Sequence, residues 1–185
     1  MDRRTNLAKW KGRAAAGACA ALLCLQPVFA AEVVSVDVEA VAQALSFVQS
    51  LPQKSSITAI VVYRGGDGEA KASAMRIAQA LSGQPGPNKM PFEVSVVAAN
   101  ELGQYAKRTD LVYVVPGLAD GARVVTDFIR RQHVLSVSND PSCMSTRCCV
   151  LLVRGGEGEI VLDSGLAQEV GAKFAAVFTM MVKRR

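Results

Sequence analysis

The chain has 185 residues, half of them apolar and only 5% aromatic, with 21 basic and 16 acidic side chains and a formal net charge of +5. The excess is local: beyond residue 30 the balance is 16 basic to 15 acidic, a net of +1. Phosphate binding needs clustered Lys and Arg, so no nucleic-acid partner is expected, and Lys183, Arg184 and Arg185 read as a solvated terminus.

Residues 1–30 have the pattern of a cleaved secretory signal peptide. A basic head with Arg3, Arg4, Lys9, Lys11 and Arg13 precedes the short apolar run AAAGACAALLCL; Pro27 and small residues then lead to a cut after Ala30. The run is too short to span a bilayer, and Cys24 follows Leu23 where a lipoprotein signal needs a small residue. The expected location is therefore the periplasm, with no membrane insertion after cleavage. Residues 31–185 suffice for one domain with a real core, in a compartment that permits disulfides.

Spacing predicts an amphipathic helix over 37–51, with Val38, Val41, Ala42, Leu45 and Val48 on one face and Pro52 closing it. ITAIVVY (57–63) is a short β-branched run, hence a buried strand. The segment 68–83 is helical, with Ala70, Ala74, Ile77 and Leu81 on one face and Gly83 ending it. QPGPNKMP is a turn-rich loop, FEVSVVA (92–98) a strand, and NELGQYAKR a short helix capped by Asn100. A strand over 110–117, a helix over 119–132 and a strand over 134–138 continue the alternation. CVLLV and EIVLD, joined by RGGEG, read as an antiparallel hairpin, and the remainder as closing helical turns. The expected fold is α/β: three layers, a mostly parallel sheet with helices on both faces and a C-terminal antiparallel hairpin.

The phrase RGGDGE (64–69) returns as RGGEGE (154–159). The first copy sits between strand and helix, where a phosphate loop would sit, but it matches neither G-x-G-x-x-G nor the P-loop. Its Asp67 and Glu69 suit a helix N-terminus instead. The second copy joins strand to strand, so neither duplication nor a paired site follows.

SCMSTRCCV offers three cysteine pairings. A bridge between the adjacent Cys148 and Cys149 would be strained. Cys143–Cys149 is preferred, because Cys149 opens a strand and the bridge would staple the base of the hairpin. Cys148 is then spare, with Cys143–Cys148 the alternative pairing. A zinc site would need a fourth ligand, and the sole histidine, His133, stands ten residues upstream at a spacing that matches no zinc signature. No G-x-S-x-G or H-E-x-x-H occurs and the carboxylates are scattered, so the chain is read as a non-enzyme without cofactor or metal.

In an open parallel sheet, ligands and partners meet the carboxyl ends of the strands. Here that edge gathers Arg64, Asn100, Gly117, Ser138, Asn139 and Asp140. Ser136 and Ser138 share one face of their strand, as hydrogen-bonded core residues or pocket lining.

The same order of elements resembles the YfiR/HmsC-like family of small periplasmic proteins. FVQSLP (47–52) resembles the family's aromatic-Val-x-x-Trp-Pro helix ending, VLSVSND (134–140) its Val-Leu-Thr-Val-Ser-Asp strand, and the hairpin with EIVLDSGLAQEVGAKFAAVFTMMVK its final pattern. Leu51 stands where the family has Trp, and CMSTRCCVLLV replaces its Gly-Gly-Met entry. The resemblance implies a regulator that binds the periplasmic part of an inner-membrane diguanylate cyclase and holds down cyclic-di-GMP output and biofilm behaviour. It also implies a homodimer and a stabilising disulfide. The rival expectation is a small-molecule-binding module, because AIVVY, VSVVA and DLVYVVPG also resemble one lobe of a periplasmic substrate-binding protein.

Overall fold

The computed structural model describes residues 28–51, 55–105 and 108–185. Seven strands form one sheet: β1 (Ile57–Tyr63), β2 (Phe92–Ala98), β3 (Leu111–Val114), β4 (Leu135–Ser138), β5 (Leu151–Arg154), β6 (Glu159–Leu162) and β7 (Lys183–Arg184). Their spatial order is β2-β1-β3-β4-β5-β6-β7. The first five are parallel, β6 turns back against β5, and β7 runs parallel to β6. The mixed α/β sheet with its C-terminal hairpin is the architecture expected from the sequence.

Every residue of β3 and β4 is buried, whereas the middle of β2 and most of β6 are partly open. A central strand buried on both faces needs cover on both, and continuous β-branched runs are what such strands require. On one side α1 (Val28–Leu45) packs against α2 (Gly68–Ser82). Elsewhere α3 (Ala122–Gln132) packs against α5 (Ser164–Val170), and Arg130 of α3 pairs with Glu169 at 2.8 Å. Two short helices complete the chain, α4 (Pro141–Ser145) and α6 (Ala176–Met181).

The predicted stripe of α1 is the buried one: Val38, Val41, Ala42, Leu45 and Val48 all lie in the core. The helix stops at Leu45, however, six residues short of the expected end, and Pro52 lies outside the described residues. Downstream pairing ends it. Val48 forms an antiparallel bridge with Phe174, and the Gln49 N–H donates to the Lys173 carbonyl at 2.8 Å. Phe47 and Phe174 then stack on the buried Phe178, with ring centroids 5.2 and 5.4 Å away. The expected cut after residue 30 falls in the first turn of α1, and the rest of the expected signal segment lies outside the described residues.

The segment over 99–104 is a 3-10 turn without a side-chain cap, so Asn100 lies inside it and does not cap it. The tail does not finish as a helix: α6 ends at Met181, and Lys183 and Arg184 return to the sheet beside Val161 and Leu162.

The cysteine pairing is Cys143–Cys148, not Cys143–Cys149. Arg147 adopts φ 57° after α4, which swings the chain back so that the Cys148 N–H donates to the Cys143 carbonyl at 2.9 Å and the Cα atoms stand 5.0 Å apart. Cys149 is left as a buried free thiol. The bridge therefore closes the α4 turn and does not staple the hairpin, and β5 begins two residues after Cys149.

Candidate functional site

The strand order reverses at β1, whose neighbours β2 and β3 both follow it in sequence. A crevice forms at the carboxyl end of such a switch point, because the flanking loops leave in opposite directions. Here the loop after β1 and the loop after β3 face each other.

The first loop is RGGDGE. Asp67 caps α2, accepting from the Glu69 and Ala70 N–H groups at 3.0 Å each. Its carboxylate is spent on the helix start, the role its place before α2 led one to expect. Gly65 lies so close to Asn100 that a Cβ there would sit 2.5 Å from the Asn100 Oδ1. Arg64 projects from the same loop, half exposed, with its guanidinium 3.6 Å from Asp67 and 3.9 Å from Asp120. Asp120, in the loop after β3, is 87% exposed.

The opposite wall is anchored by Asp140. It caps α4 by accepting from the Ser142 N–H at 2.8 Å, and its second oxygen accepts from the Gly117 N–H at 2.9 Å. Gly117 sits at φ +82°, a conformation that favours glycine. Burial pushes the Asp140 carboxyl up, but the Gly117 and Ser142 N–H groups outweigh it and hold it below the usual carboxylate range. Ser138 is wholly buried. Its hydroxyl donates to the Val114 carbonyl at 2.9 Å and accepts from the Asp140 N–H at 3.1 Å. Ser136 is buried too and accepts from the Val150 N–H. Both serines are thus hydrogen-bonded core residues, and Ser138 supports the edge without lining it.

Asn139 turns toward α1. Its Nδ2 donates to Asp37 Oδ2 at 2.8 Å, and the Gly155 N–H donates to Asp37 Oδ1 at 2.7 Å. Asp37 is only 4% exposed. Burial above all, with the Asp37 charge, pushes the nearby Tyr113 phenol up, so it stays protonated. The Asn139 Oδ1 is buried without a partner among the described residues. Turning the amide over would not relieve it, since that would aim an oxygen at the Asp37 carboxylate.

The sequence-derived edge therefore forms, and its members divide. Gly117, Ser138, Asn139 and Asp140 hold loops together, Asn100 abuts Gly65, and Arg64 alone presents an open charged group. The reading missed Asp37 and Asp120. A signal for Asp37 was present: it lies four and eight residues before Val41 and Leu45 on the apolar stripe of α1, where a carboxylate must find donors. Asp120 carried no signal beyond its place after a strand.

No family model matches the chain, and no curated protein matches it. Solved structures do resemble it. One is a conserved domain protein from Vibrio cholerae, with a TM-score of 0.57 at 13% identity over 82% of this chain and 59% of that one. Another is an ABC domain from Streptococcus pneumonia in complex with L-Trp, with a TM-score of 0.54 at 13% identity over 82% and 61%. The chain thus spans about three fifths of the length of these structures. At this identity the likeness is one of fold.

Proposed function

We propose that this chain is a small-molecule-binding module whose ligand seats in the crevice between β1 and β3, and that the ligand is a small zwitterion carrying a carboxylate and an ammonium group. The observation that carries this reading is the pair Arg64 and Asp120: opposite charges 3.9 Å apart across the switch point, one half exposed and the other 87% exposed. An exposed pair at that distance contributes little by itself. A carboxylate forked on Arg64 and an ammonium on Asp120 would replace it with two charge-assisted contacts. The anchored loops around the pair supply a rigid frame. The likeness in fold to a domain solved with L-Trp supports the reading by analogy.

A thermal-shift panel of amino acids and related zwitterions tests this. A true ligand at about one hundred times its Kd adds about 2.7 kcal/mol of stability. The rise should vanish in Arg64→Ala and in Asp120→Ala, while the unliganded melting temperature stays put. A panel with no stabiliser, or a stabiliser indifferent to both substitutions, sinks the proposal.

A second reading follows from the family resemblance: a periplasmic, dimeric regulator that restrains an inner-membrane diguanylate cyclase by contact. The observation in its favour is the outer face of α6, where Val177, Met180 and Met181 are exposed. Adaptable methionine surfaces suit protein contacts. Co-purification with a sensor's periplasmic domain, lost on Met180→Ser/Met181→Ser, supports this reading; unchanged co-purification removes α6 from it. Neither reading assigns the chain a catalytic step.

A further inference from the structure

A groove of about 390 Å³ opens between β6, α5 and the approach to α6. Leu162, Ala167, Ala172 and Phe174 supply its apolar lining, and Lys173 and Arg184 its charge. Arg184 pairs with Leu162, which in turn faces Leu151, the first residue of β5. The groove therefore lies at the opposite strand ends from Arg64 and Asp120. No carboxylate side chain lines it. From Val170 to Arg185 the sequence carries four basic residues and no acidic one.

Two of those four cations are already engaged. Lys183 pairs with Glu159 at 2.8 Å, and Arg185 donates to the Met144 carbonyl at 2.9 Å. The Lys173 and Arg184 side chains have no hydrogen bond or ion pair among the described residues. Their main chains are nevertheless fixed. The Lys173 N–H donates to the Ser50 hydroxyl at 3.1 Å and its carbonyl accepts from Gln49, while Arg184 is held in the β6–β7 register. Two cations with anchored backbones and free ends stand beside an apolar lining that holds no carboxylate side chain.

We infer that this groove is a second binding site, for a small amphipathic carboxylate. The carboxylate lies between Lys173 and Arg184, and the hydrocarbon body lies on Leu162, Ala167 and Phe174. The chemistry matches the cavity: the volume suits a ligand of modest size, the lining rewards apolar area, and the cations reward a carboxylate.

Octanoate is the probe, followed by amide NMR titration of the isotope-labelled protein, with octan-1-ol and octylamine as controls of equal length. Octanoate should move the Gly171, Ala172 and Thr179 resonances saturably, and binding should weaken with added salt. The neutral and cationic analogues should bind about tenfold more weakly. Lys173→Gln and Arg184→Gln should each weaken octanoate by about fivefold without lowering the melting temperature, because both side chains are exposed. The inference is overturned by silence of these resonances at millimolar octanoate, by an equal response to octan-1-ol, by indifference to both substitutions, or by a response confined to the Arg64 crevice. Because the reporters lie at the other end of the strands, the first three outcomes leave the zwitterion proposal untouched, and only the last also speaks to it.

Discussion

Asp37 and Asn139 can be exchanged, and the exchange isolates one buried contact. Asp37 accepts from two donors, the Gly155 N–H at 2.7 Å and the Asn139 amide at 2.8 Å. Asp37→Asn keeps an oxygen for Gly155 and turns an NH2 toward Asn139, whose amide must turn over to offer its oxygen. It exchanges a charge-assisted bond for a neutral one and leaves the Asn139 NH2 without an acceptor where its oxygen stood, at a cost of about 2 kcal/mol. Asn139→Asp opposes two carboxylates instead and costs about 2–3 kcal/mol, since one of them must hold a proton or be strained apart. The double variant Asp37→Asn/Asn139→Asp restores a donor facing a carboxylate with the direction reversed. It should fall within about 1 kcal/mol of the parent, a coupling energy of about 3 kcal/mol of opposite sign to the single losses. Urea denaturation reads this as midpoints that drop in both single variants and recover in the double, with an unchanged slope. In melting temperature the single losses are about 4–12 °C for a domain of this size. Losses that simply add in the double variant would show that the two side chains do not meet, and with that the account of how α1 is fixed to the carboxyl edge would fail.

Two further outcomes are expected. Asp140→Ala removes the cap of α4 and the acceptor for Gly117, and should cost about 1–2 kcal/mol at neutral pH. Because the folded Asp140 carboxyl lies below its unfolded value, its contribution is complete above the unfolded value near ~4 and is lost as pH falls through the folded value. The gap between parent and variant, measured by denaturation across pH, should therefore close in acid; a gap that widens there refutes the assignment. Burial, foremost, with the charges of Asp163 and Asp140 pushes the Cys149 thiol up to about 12. Native protein at pH 8 should leave Cys149 unalkylated by iodoacetamide, and unfolding without reductant should label it while Cys143 and Cys148 stay bridged. Fragment-ion mapping that finds the label on Cys148 would restore the Cys143–Cys149 pairing.

Elements governed by local pattern were legible. ITAIVVY and FEVSVVA run as β1 and β2 with the expected bounds, because a β-branched run between turn residues leaves little else to form. The first RGG phrase announced a helix start through Asp67, and the second a hairpin tip, where Arg154 reaches both Glu157 and Glu159. Distant partners decided what was not legible. The end of α1 is set by Phe174 and Lys173. β7 exists because β6 offers an open edge to a two-residue tail that no periodicity could mark. The cysteine pairing turned on the left-handed Arg147, a backbone choice that its letter does not advertise. At the site, placement by topology found Arg64 but could not tell it from Ser138. Position after a strand does not say whether a side chain faces solvent or the neighbouring carbonyl.

The anchoring of α1 also bears on the order in which the molecule can be completed. Its first described side chain, Asp37, finds its partners 102 and 118 positions later, and Ser50, just beyond its other end, meets Lys173 at a separation of 123. The first described helix is thus tied at both ends to residues from the last third of the chain. Contacts between such distant positions form only after the intervening loop has been closed. A chain emerging amino terminus first can lay α1 against α2 early, but the polar ties of Asp37 and Ser50 must wait until Gly155 and Lys173 have arrived.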